Sequence, residues 1–267
     1  EGGKLKFLGI DLGSREVKYT VMEAGEEGAR IVAKHKVGTM TFYRDYCTYK
    51  ASSGKLQVNL PKLAVGLVDY GVSTGYGRNN TDLENFQSIN ELKAHAYGAI
   101  YQTGLQNFVL LDIGGQDVKI IKVEKGIITD LDLNDKCAAS CGRYLENMAQ
   151  LLEVPLDKMS LYYEEPVEIN STCAVFSESS LIGLVAQGIG LEKLCAGVNY
   201  SLYQRLRPLM QKFPAETLVV AGGVAQNQAL IHYLQNDYDT VLPLAAAQYN
   251  GAIGCCFYAY QKYGHKK

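Results

Sequence analysis

Two short segments of similar sequence constrain the fold of this chain more than any other feature. The first, Asp11–Lys18, reads D-L-G-S-R-E-V-K, and the second, Asp112–Lys119, reads D-I-G-G-Q-D-V-K about a hundred residues later. In both, an apolar run ends at an aspartate, a glycine-containing turn follows, and apolar residues then alternate as they do in a β-strand. One such segment is typical of an ordinary β-hairpin. The repetition predicts two related α/β lobes, each with one hairpin.

The turns of the two hairpins are predicted to bind phosphate. Successive backbone N–H groups of such a turn form a concave site for anions, and a hydroxyl group adds a further donor. The first segment lacks the Gly-x-x-x-x-Gly-Lys sequence of a P-loop, so this site is a hairpin rather than a loop that opens a helix. The predicted phosphate contacts are Gly13, Ser14, Arg15 and Lys18 in the first hairpin, and Gly114, Gly115, Gln116 and Asp117 in the second.

A glycine turn, A-G-G-V-A at Ala221–Ala225, follows a third apolar strand. Gly222 and Gly223 have no side chains, so the adenosine of ATP or ADP could lie flat against the backbone there, beside Val224. The order of hairpin, hairpin and glycine turn therefore predicts a nucleotide bound between two lobes.

Three polar residues of the hairpins are the predicted catalytic groups: Asp11, Asp112 and Gln116. Each aspartate ends a strand next to a predicted phosphate-binding turn. Carboxylates in such positions hold Mg²⁺ through its bound waters and orient an attacking water molecule.

A cysteine segment, N-D-K-C-A-A-S-C-G-R-Y-L-E, runs from Asn134 to Glu146 and is predicted to open a helix capped by Asn134 and Asp135. Cys137 would then lie in the first turn, where unpaired N–H groups and the helix dipole favour a thiolate. Cys173 is placed in the same way before another predicted helix. Two thiolates are half of the usual ligand set of an iron–sulfur cluster, so a second copy of the chain could complete it on a two-fold axis.

Composition excludes several other classes of protein. Seven cysteines, an odd number in a chain without a signal peptide, argue against a disulfide framework and favour a reducing cytoplasm. A net charge of −2 gives no basic surface for nucleic acid. No apolar run approaches the ~20 residues that cross a membrane.

Several segments resemble one known family. They are T-G-Y-G-R (Thr74–Arg78), E-L-K-A-H-A-Y-G-A (Glu91–Ala99), D-I-G-G-Q-D (Asp112–Asp117), the cysteine segment and C-A-V-F-S-E-S (Cys173–Ser179). They are similar to the BadF/BadG/BcrA/BcrD-type ATPases of the acetate and sugar kinase/Hsp70/actin superfamily. That branch includes activators of 2-hydroxyacyl-CoA dehydratases, ATPase subunits of benzoyl-CoA reductase and reductases of double-cubane cluster proteins. The resemblance covers Leu5–Glu23 and the chain from Val72 onward.

The resemblance implies an α/β fold of two actin-like (ribonuclease H-like) lobes with a nucleotide in the cleft. We expect residues 1–100 with 246–267 to form the first lobe and residues 101–245 the second. The family also implies a homodimer that binds ATP or ADP with Mg²⁺ and shares one bridging [4Fe–4S] cluster, with Cys137 and Cys173 at the ligand positions. Reduced ferredoxin or flavodoxin would load the cluster, and ATP hydrolysis would accompany transfer of a low-potential electron to a partner iron–sulfur enzyme.

The chain departs from the family pattern at three places. Cys141 stands where the family usually has a hydroxyl residue, and Ser140 where it usually has glycine. The segment 41–67 does not have the expected pattern of an amphipathic helix. We interpret Cys141 as a neighbour of the cluster rather than a ligand, and His95 as a packing or hydrogen-bonding residue rather than a base.

Two alternative functions remain open at this point. A small-molecule kinase of the same superfamily would need a longer first lobe for its substrate than this chain provides. A nucleotide-dependent scaffold without a redox role would need neither Cys137 nor Cys173.

Overall fold

A computed structural model describes residues 4–83, 86–134, 141–169 and 174–264. The chain divides into two compact units, the first made of Glu1–Gly104 and Gln248–Lys267 and the second of Leu105–Ala247. None of the described helices is long and apolar enough to span a membrane.

Both units are built on β-sheets. The strands of the first unit are β1 (Leu5–Leu12), β2 (Glu16–Gly25), β3 (Gly28–Gly38), β4 (Cys47–Lys50), β5 (Lys55–Val58), β6 (Tyr70–Thr74), β7 (Thr81–Asp82) and β8 (Gln87–Ser88). Those of the second unit are β9 (Phe108–Ile113), β10 (Val118–Glu124), β11 (Ile127–Asn134), β12 (Thr217–Ala221) and β13 (Thr240–Pro243).

The helices complete the inventory of the described residues. They are α1 (Thr39–Tyr46), α2 (Glu91–Thr103), α3 (Gly142–Leu151), α4 (Leu156–Met159), α5 (Ala174–Ala186), α6 (Leu191–Met210), α7 (Gln228–Leu234) and α8 (Asn250–Tyr263). Short 3-10 helices lie at Leu60–Leu63, Tyr76–Asn79, Gly223–Gln226 and Ala247–Tyr249.

The five-stranded sheets of the two units have the same topology. Their strand orders are β3-β2-β1-β6-β8 in the first unit and β11-β10-β9-β12-β13 in the second. In each, three antiparallel strands are followed by two strands that run parallel to the central one. The two similar hairpins in the sequence thus belong to a larger repeat, in which the whole five-stranded sheet occurs twice.

The central strands, β1 and β9, form the core of each sheet. Phe7–Leu12 in β1 and all of β9 are buried, and both runs are almost entirely apolar. A strand that is apolar on both faces is normally covered on both sides of its sheet. Asp11 and Asp112 are the charged exceptions, and each occupies the second-to-last position of its strand.

Helices α2 and α8 pack on the first sheet by close backbone approach. A Cβ atom on Gly254 would overlap the carbonyl oxygen of Ala94, and one on Gly98 would overlap the backbone of Asn250. A Cβ on Gly9 of β1 would in turn overlap the carbonyl oxygen of Ala252. These glycines bring α8 against the strand that carries Asp11.

The predicted helix start at Asn134 is wrong. Asn134 is the last residue of β11 and pairs with Val118, while α3 begins only at Gly142, with Cys141 as an extended N-cap residue. Alternation in I-I-T-D-L-D-L-N continues the sheet to Asn134, because the backbone pairing with β10 outweighs the local capping preference of Asn. The segment 41–67, which lacks the sequence pattern of an amphipathic helix, contains most of the short helix α1. The β4–β5 hairpin and a 3-10 helix follow.

Candidate functional site

The turn of the first hairpin joins β1 to β2 at Gly13–Arg15. Ser14 and Arg15 are exposed, as ligand contacts require. The N-terminus of α1 fixes this turn, because the Thr39 N–H donates to Arg15 O at 3.0 Å and Thr39 Oγ1 donates to Gly13 O at 2.8 Å. Lys18 is half-buried, and its Nζ lies 3.6 Å from Glu16 Oε2.

The turn of the second hairpin joins β9 to β10. It is closed by a hydrogen bond from Gly114 N to Asp117 O at 2.9 Å. Gln116 is exposed, and Gly114, Gly115 and Asp117 are partly exposed. The buried Lys119 forms an ion pair with Asp117 at 2.6 Å, so the carboxylate of Asp117 is held beside the turn.

The N-terminus of α3 is bonded to this second turn. Gly142 N donates to Gly114 O at 2.9 Å, and Arg143 N donates to Gly115 O at 3.1 Å. The thiol of Cys141 also donates to Gly115 O, at 3.1 Å. These five residues are called the α3 junction below.

The two predicted catalytic aspartates occupy equivalent positions. Asp11 lies opposite Lys18 and next to Thr74 of β6, and Asp112 lies opposite Lys119 and next to Ala221. Asp11 is 8% exposed and Asp112 is 2% exposed. A carboxylate is costly to bury unless it is paired or hydrogen-bonded, so two such residues at equivalent strand ends indicate a functional site.

The strands parallel to the central ones end in matching glycine turns. Gly75 follows β6 with φ 93° and Gly222 follows β12 with φ 82°, and each precedes a 3-10 helix. A side chain on Gly222 would overlap the backbone of Ile113, so this glycine is needed for the fold itself. Among the described residues, by contrast, no heavy atom lies within 4 Å of the position of a Cβ on Gly223. Of the two, Gly223 is the residue whose open face a ligand could contact.

Polar residues surround Asp11, and the sequence did not predict that they lie together. A Cβ on Gly251 would lie 2.6 Å from Asp11 Oδ2 and 3.3 Å from His95 Nε2, so both side chains reach the same point on α8. His95 Nε2 also lies 3.9 Å from Glu91 Oε1, and Asn250 Nδ2 donates to His95 O at 2.9 Å. The available signal was the i, i+4 spacing of Glu91 and His95.

The predicted site residues thus gather within each unit. In the first unit, Asp11 lies opposite Lys18 at the end of the hairpin whose turn is Gly13–Arg15. The second unit collects the other set, because Ala221 pairs with Asp112 and the Cβ position of Gly142 lies 3.2 Å from Gly114 O and 3.3 Å from Val224 Cγ2. The second hairpin and the predicted adenosine turn therefore lie side by side in the second unit.

The predicted cluster ligands, Cys137 and Cys173, lie outside the described residues. Within the described part of the chain, no three or more His, Cys, Asp and Glu side chains gather into a metal site. Burial raises the pKa of the Cys47 and Cys195 thiols to about 11 and that of Cys256 to about 12. Such thiols stay protonated at neutral pH, and metal binding requires the thiolate.

Helix α6 contacts both α3, which begins directly after Cys141, and α5, which begins directly after Cys173. The Arg205 guanidinium lies over the Tyr144 ring of α3 at 4.4 Å and donates to Ser177 Oγ of α5 at 2.9 Å. The Tyr144 hydroxyl donates to Ser201 Oγ at 3.2 Å. A change in the position of α3 would therefore disturb the contact that Arg205 makes with Ser177 of α5.

Helix α5 exposes several large apolar side chains. Phe176 is 70% exposed, Ile182 55% and Val185 50%, although A-V-F-S-E-S-S-L-I-G-L-V-A contains one charged residue. A helix that is apolar on all sides is normally buried. The helix that follows Cys173 thus has an uncovered apolar face.

The model of the BadF/BadG/BcrA/BcrD ATPase family matches residues 8–259. The chain belongs to this family. It is 36% identical over 262 residues to the (R)-2-hydroxyglutaryl-CoA dehydratase activating ATPase of Acidaminococcus fermentans, covering 96% of this chain and 97% of that protein. The predicted family membership is therefore confirmed.

Two solved structures of this ATPase family have the same fold. One is the activator of the 2-hydroxyisocaproyl-CoA dehydratase from Clostridium difficile with bound ADPNP, with a TM-score of 0.81 and 30% identity, covering 97% of this chain and 95% of that one. The other is component A of the A. fermentans dehydratase, with a TM-score of 0.79 and 33% identity, covering 97% of this chain and 98% of that one. The predicted actin-like α/β fold is confirmed.

Proposed function

We propose that the chain is an ATP-dependent reductive activator. It hydrolyses ATP at its two hairpins and, as a homodimer, passes a low-potential electron to a partner iron–sulfur enzyme. The observation that carries the ATPase part of this proposal is the pair of buried aspartates at equivalent ends of two equivalent hairpins, in a chain of this ATPase family. The redox part follows from the similarity to dehydratase activators.

Backbone N–H groups of both turns would bind the phosphates, with Ser14, Arg15 and Lys18 adding side-chain donors. The open face of Gly223 supports a position for the adenosine beside Val224. The C. difficile activator was solved with ADPNP, which supports an adenine nucleotide as the ligand.

Hydrolysis would begin with a water molecule placed in line with the γ-phosphoryl group. Gln116 is exposed at the turn and could orient this water, while the carboxylates of Asp11 and Asp112 accept hydrogen bonds around the phosphates. Mg²⁺, held through its waters by these two carboxylates, would neutralise charge that develops in the transition state. The water attacks phosphorus, the bond to the ADP oxygen breaks, and the proton passes to solvent.

The dimer is proposed because each chain supplies half of a ligand set. Cys137 and Cys173 of two chains would hold one [4Fe–4S] cluster, which supplies a one-electron carrier. The uncovered apolar face of α5 supports a second copy as its occupant, because α5 begins directly after Cys173. Burying Phe176, Ile182 and Val185 would contribute about 1–2 kcal/mol for each side chain, because each is already partly buried.

The acceptor is proposed from the relatives. The A. fermentans protein activates a 2-hydroxyacyl-CoA dehydratase, so we propose an enzyme of this class or a double-cubane cluster protein as the acceptor. Ferredoxin or flavodoxin is the proposed electron donor, and the odd number of cysteines supports a reducing cytoplasm.

Anaerobic purification tests this proposal. We expect a brown dimer with about four irons per two chains, a broad visible absorption that is lost in air, and ATPase activity. A colourless protein that hydrolyses ATP would contradict the redox role and leave a nucleotide-dependent scaffold as the function.

A further inference from the structure

We propose that the α3 junction transmits nucleotide occupancy from the turn of the second hairpin to helix α3, with Cys141 as a positioning residue. This inference rests on the nucleotide-binding part of the proposed function. It requires neither the cluster nor the dimer, so it is tested separately from them.

Two donors of the α3 junction, the N–H groups of Gly142 and Arg143, are groups that the start of a helix leaves without partners inside the helix. The first N–H groups of a helix have no partners within it and normally bond to a capping side chain. In α3 no side chain caps the helix, and the N–H groups of Gly142 and Arg143 bond to Gly114 O and Gly115 O instead. The turn of the second hairpin therefore acts as the cap of α3.

Peptide geometry makes this cap relevant to phosphate binding. In a trans peptide the C=O and the next N–H point in opposite directions, and the described residues contain no cis peptide. Because the carbonyls of Gly114 and Gly115 point at α3, the N–H groups of Gly115 and Gln116 point away from it. These are the N–H groups predicted to bind phosphate, so the same two peptide units face the phosphate site and α3.

Cys141 and Gly142 hold the junction tightly together. The Cys141 thiol is fully buried and gives Gly115 O a second donor beside Arg143 N. Gly142 packs closely against the turn, since a Cβ there would lie 3.2 Å from Gly114 O, tighter than an ordinary van der Waals contact, and 3.5 Å from Gly115 Cα. A rotation of either peptide unit must therefore move the start of α3.

The junction is close to a predicted cluster ligand along the chain. Cys141 follows Cys137 by four residues, so a displacement of Cys141 acts on the chain within four residues of that cysteine. The other end of the link is α6, which contacts α3 through Arg205 and Ser201. The phosphate turn, the start of α3 and, through the Tyr144 side chain, α6 thus form one continuous series of contacts.

Hydrogen–deuterium exchange of single amides tests the proposal in the full-length protein, with and without saturating Mg-ADPNP. We expect the amides of Gly142 and Arg143 to exchange about fivefold more slowly with the nucleotide, the effect of strengthening one hydrogen bond. The amides of residues 28–31, at the end of β3 that is remote from the first turn, serve as a control and should not change.

Four variants separate a positioning role from a structural one. Cys141→Ser keeps a donor and should retain the nucleotide effect, whereas Cys141→Ala should reduce it at least twofold. Gly142→Ala should reduce it, because the added Cβ must push α3 and the turn apart by a few tenths of an ångström, although alanine is the better helix former and would by propensity alone protect these amides. Gly190→Ala is the matched control, because Gly190 is the N-cap of α6 and its Cβ position has no neighbour within 4 Å among the described residues.

The outcomes are decisive when nucleotide binding is titrated in parallel. Bound Mg-ADPNP with unchanged exchange at Gly142 and Arg143 would overturn the proposal and leave the ATPase function intact. An equal loss in Cys141→Ser and Cys141→Ala would also overturn it. No binding of Mg-ADPNP would overturn both this inference and the proposed function.

Discussion

At the scale of single residues, the two aspartates have the same surroundings in both units. Each ends a buried strand, pairs across its hairpin with a lysine and lies beside a strand that leads into a positive-φ glycine. This equivalence means that Asp11 and Asp112 are expected to have similar chemical roles, each beside the turn of its own hairpin.

The substitutions Asp11→Asn and Asp112→Asn should slow ATP hydrolysis by about a hundredfold or more, because each removes a carboxylate from Mg²⁺ and the attacking water. Nucleotide binding should persist, since the turns are unchanged. Steady-state ATPase assays and ADPNP titrations measure the two effects. Asp130→Asn, at an exposed position of β11, is the control. Unchanged ATPase rates in both site variants would contradict the two-hairpin site.

The adjacent glycines of the A-G-G-V-A turn should respond differently to alanine. Gly222→Ala forces a side chain into φ 82° and against Ile113, so the free energy of unfolding should fall by about 1–3 kcal/mol. Gly223→Ala enters open space and should leave stability unchanged, but should weaken ADPNP binding if adenosine lies there. Thermal unfolding and nucleotide titration of both variants separate these effects. Full ADPNP affinity in Gly223→Ala would place the adenosine elsewhere.

At the scale of elements, the exposed face of α5 is the part of the described surface that most needs a partner. Phe176→Ser and Ile182→Ser should each weaken dimerisation at least about tenfold, because each removes an apolar side chain from the proposed interface. Sedimentation across a concentration series measures the dissociation constant. Leu67→Ser is the control, since Leu67 is 94% exposed in the first unit. Equal dimerisation in all three variants would contradict this interface.

Elements with strong local signals were predictable from the sequence, and those defined by distant contacts were not. The residues around Cys173 predicted the start of a helix close to that of α5, and the alternating segments predicted the strands of both hairpins. Strand β5 of the β4–β5 hairpin also pairs in parallel with β7, which comes later in the chain than β6, so its neighbours in the sequence do not reveal it. The start of α3 was missed because its cap is a turn that lies almost thirty residues earlier rather than a neighbouring side chain.

The same distinction holds for the candidate site. The hairpins and the glycine turn could be recognised because each is a continuous motif. The side chains of His95 and Asp11 approach the same position, Gly251, from two distant segments, and this could not be predicted from any one segment. The different roles of Gly222 and Gly223 depend on which one meets Ile113, which only the packed structure reveals.

At the scale of the whole molecule, nucleotide binding and the proposed cluster use separate residues. Cys137→Ala and Cys173→Ala should each abolish the cluster and weaken the dimer, because one substitution removes two of about four ligands from a dimer. ATP binding should survive, since the hairpins are untouched. Iron analysis and ADPNP titration measure this, with Cys141→Ser as the variant that keeps the cluster. About four irons per dimer in either alanine variant would show that the ligands are other residues.

The central claim is that ATP changes the surroundings of the cluster without touching it. The rate of iron removal by a chelator, measured on the reduced dimer with and without saturating Mg-ATP, tests this most directly. Since packing and hydrogen bonding around a cluster govern its solvent access and its electronic properties, we predict that Mg-ATP makes the iron more accessible. The substitution Gly115→Val, which should block the second turn, should remove this response and leave the iron in place. A chelation rate that Mg-ATP does not change at saturation would contradict the account.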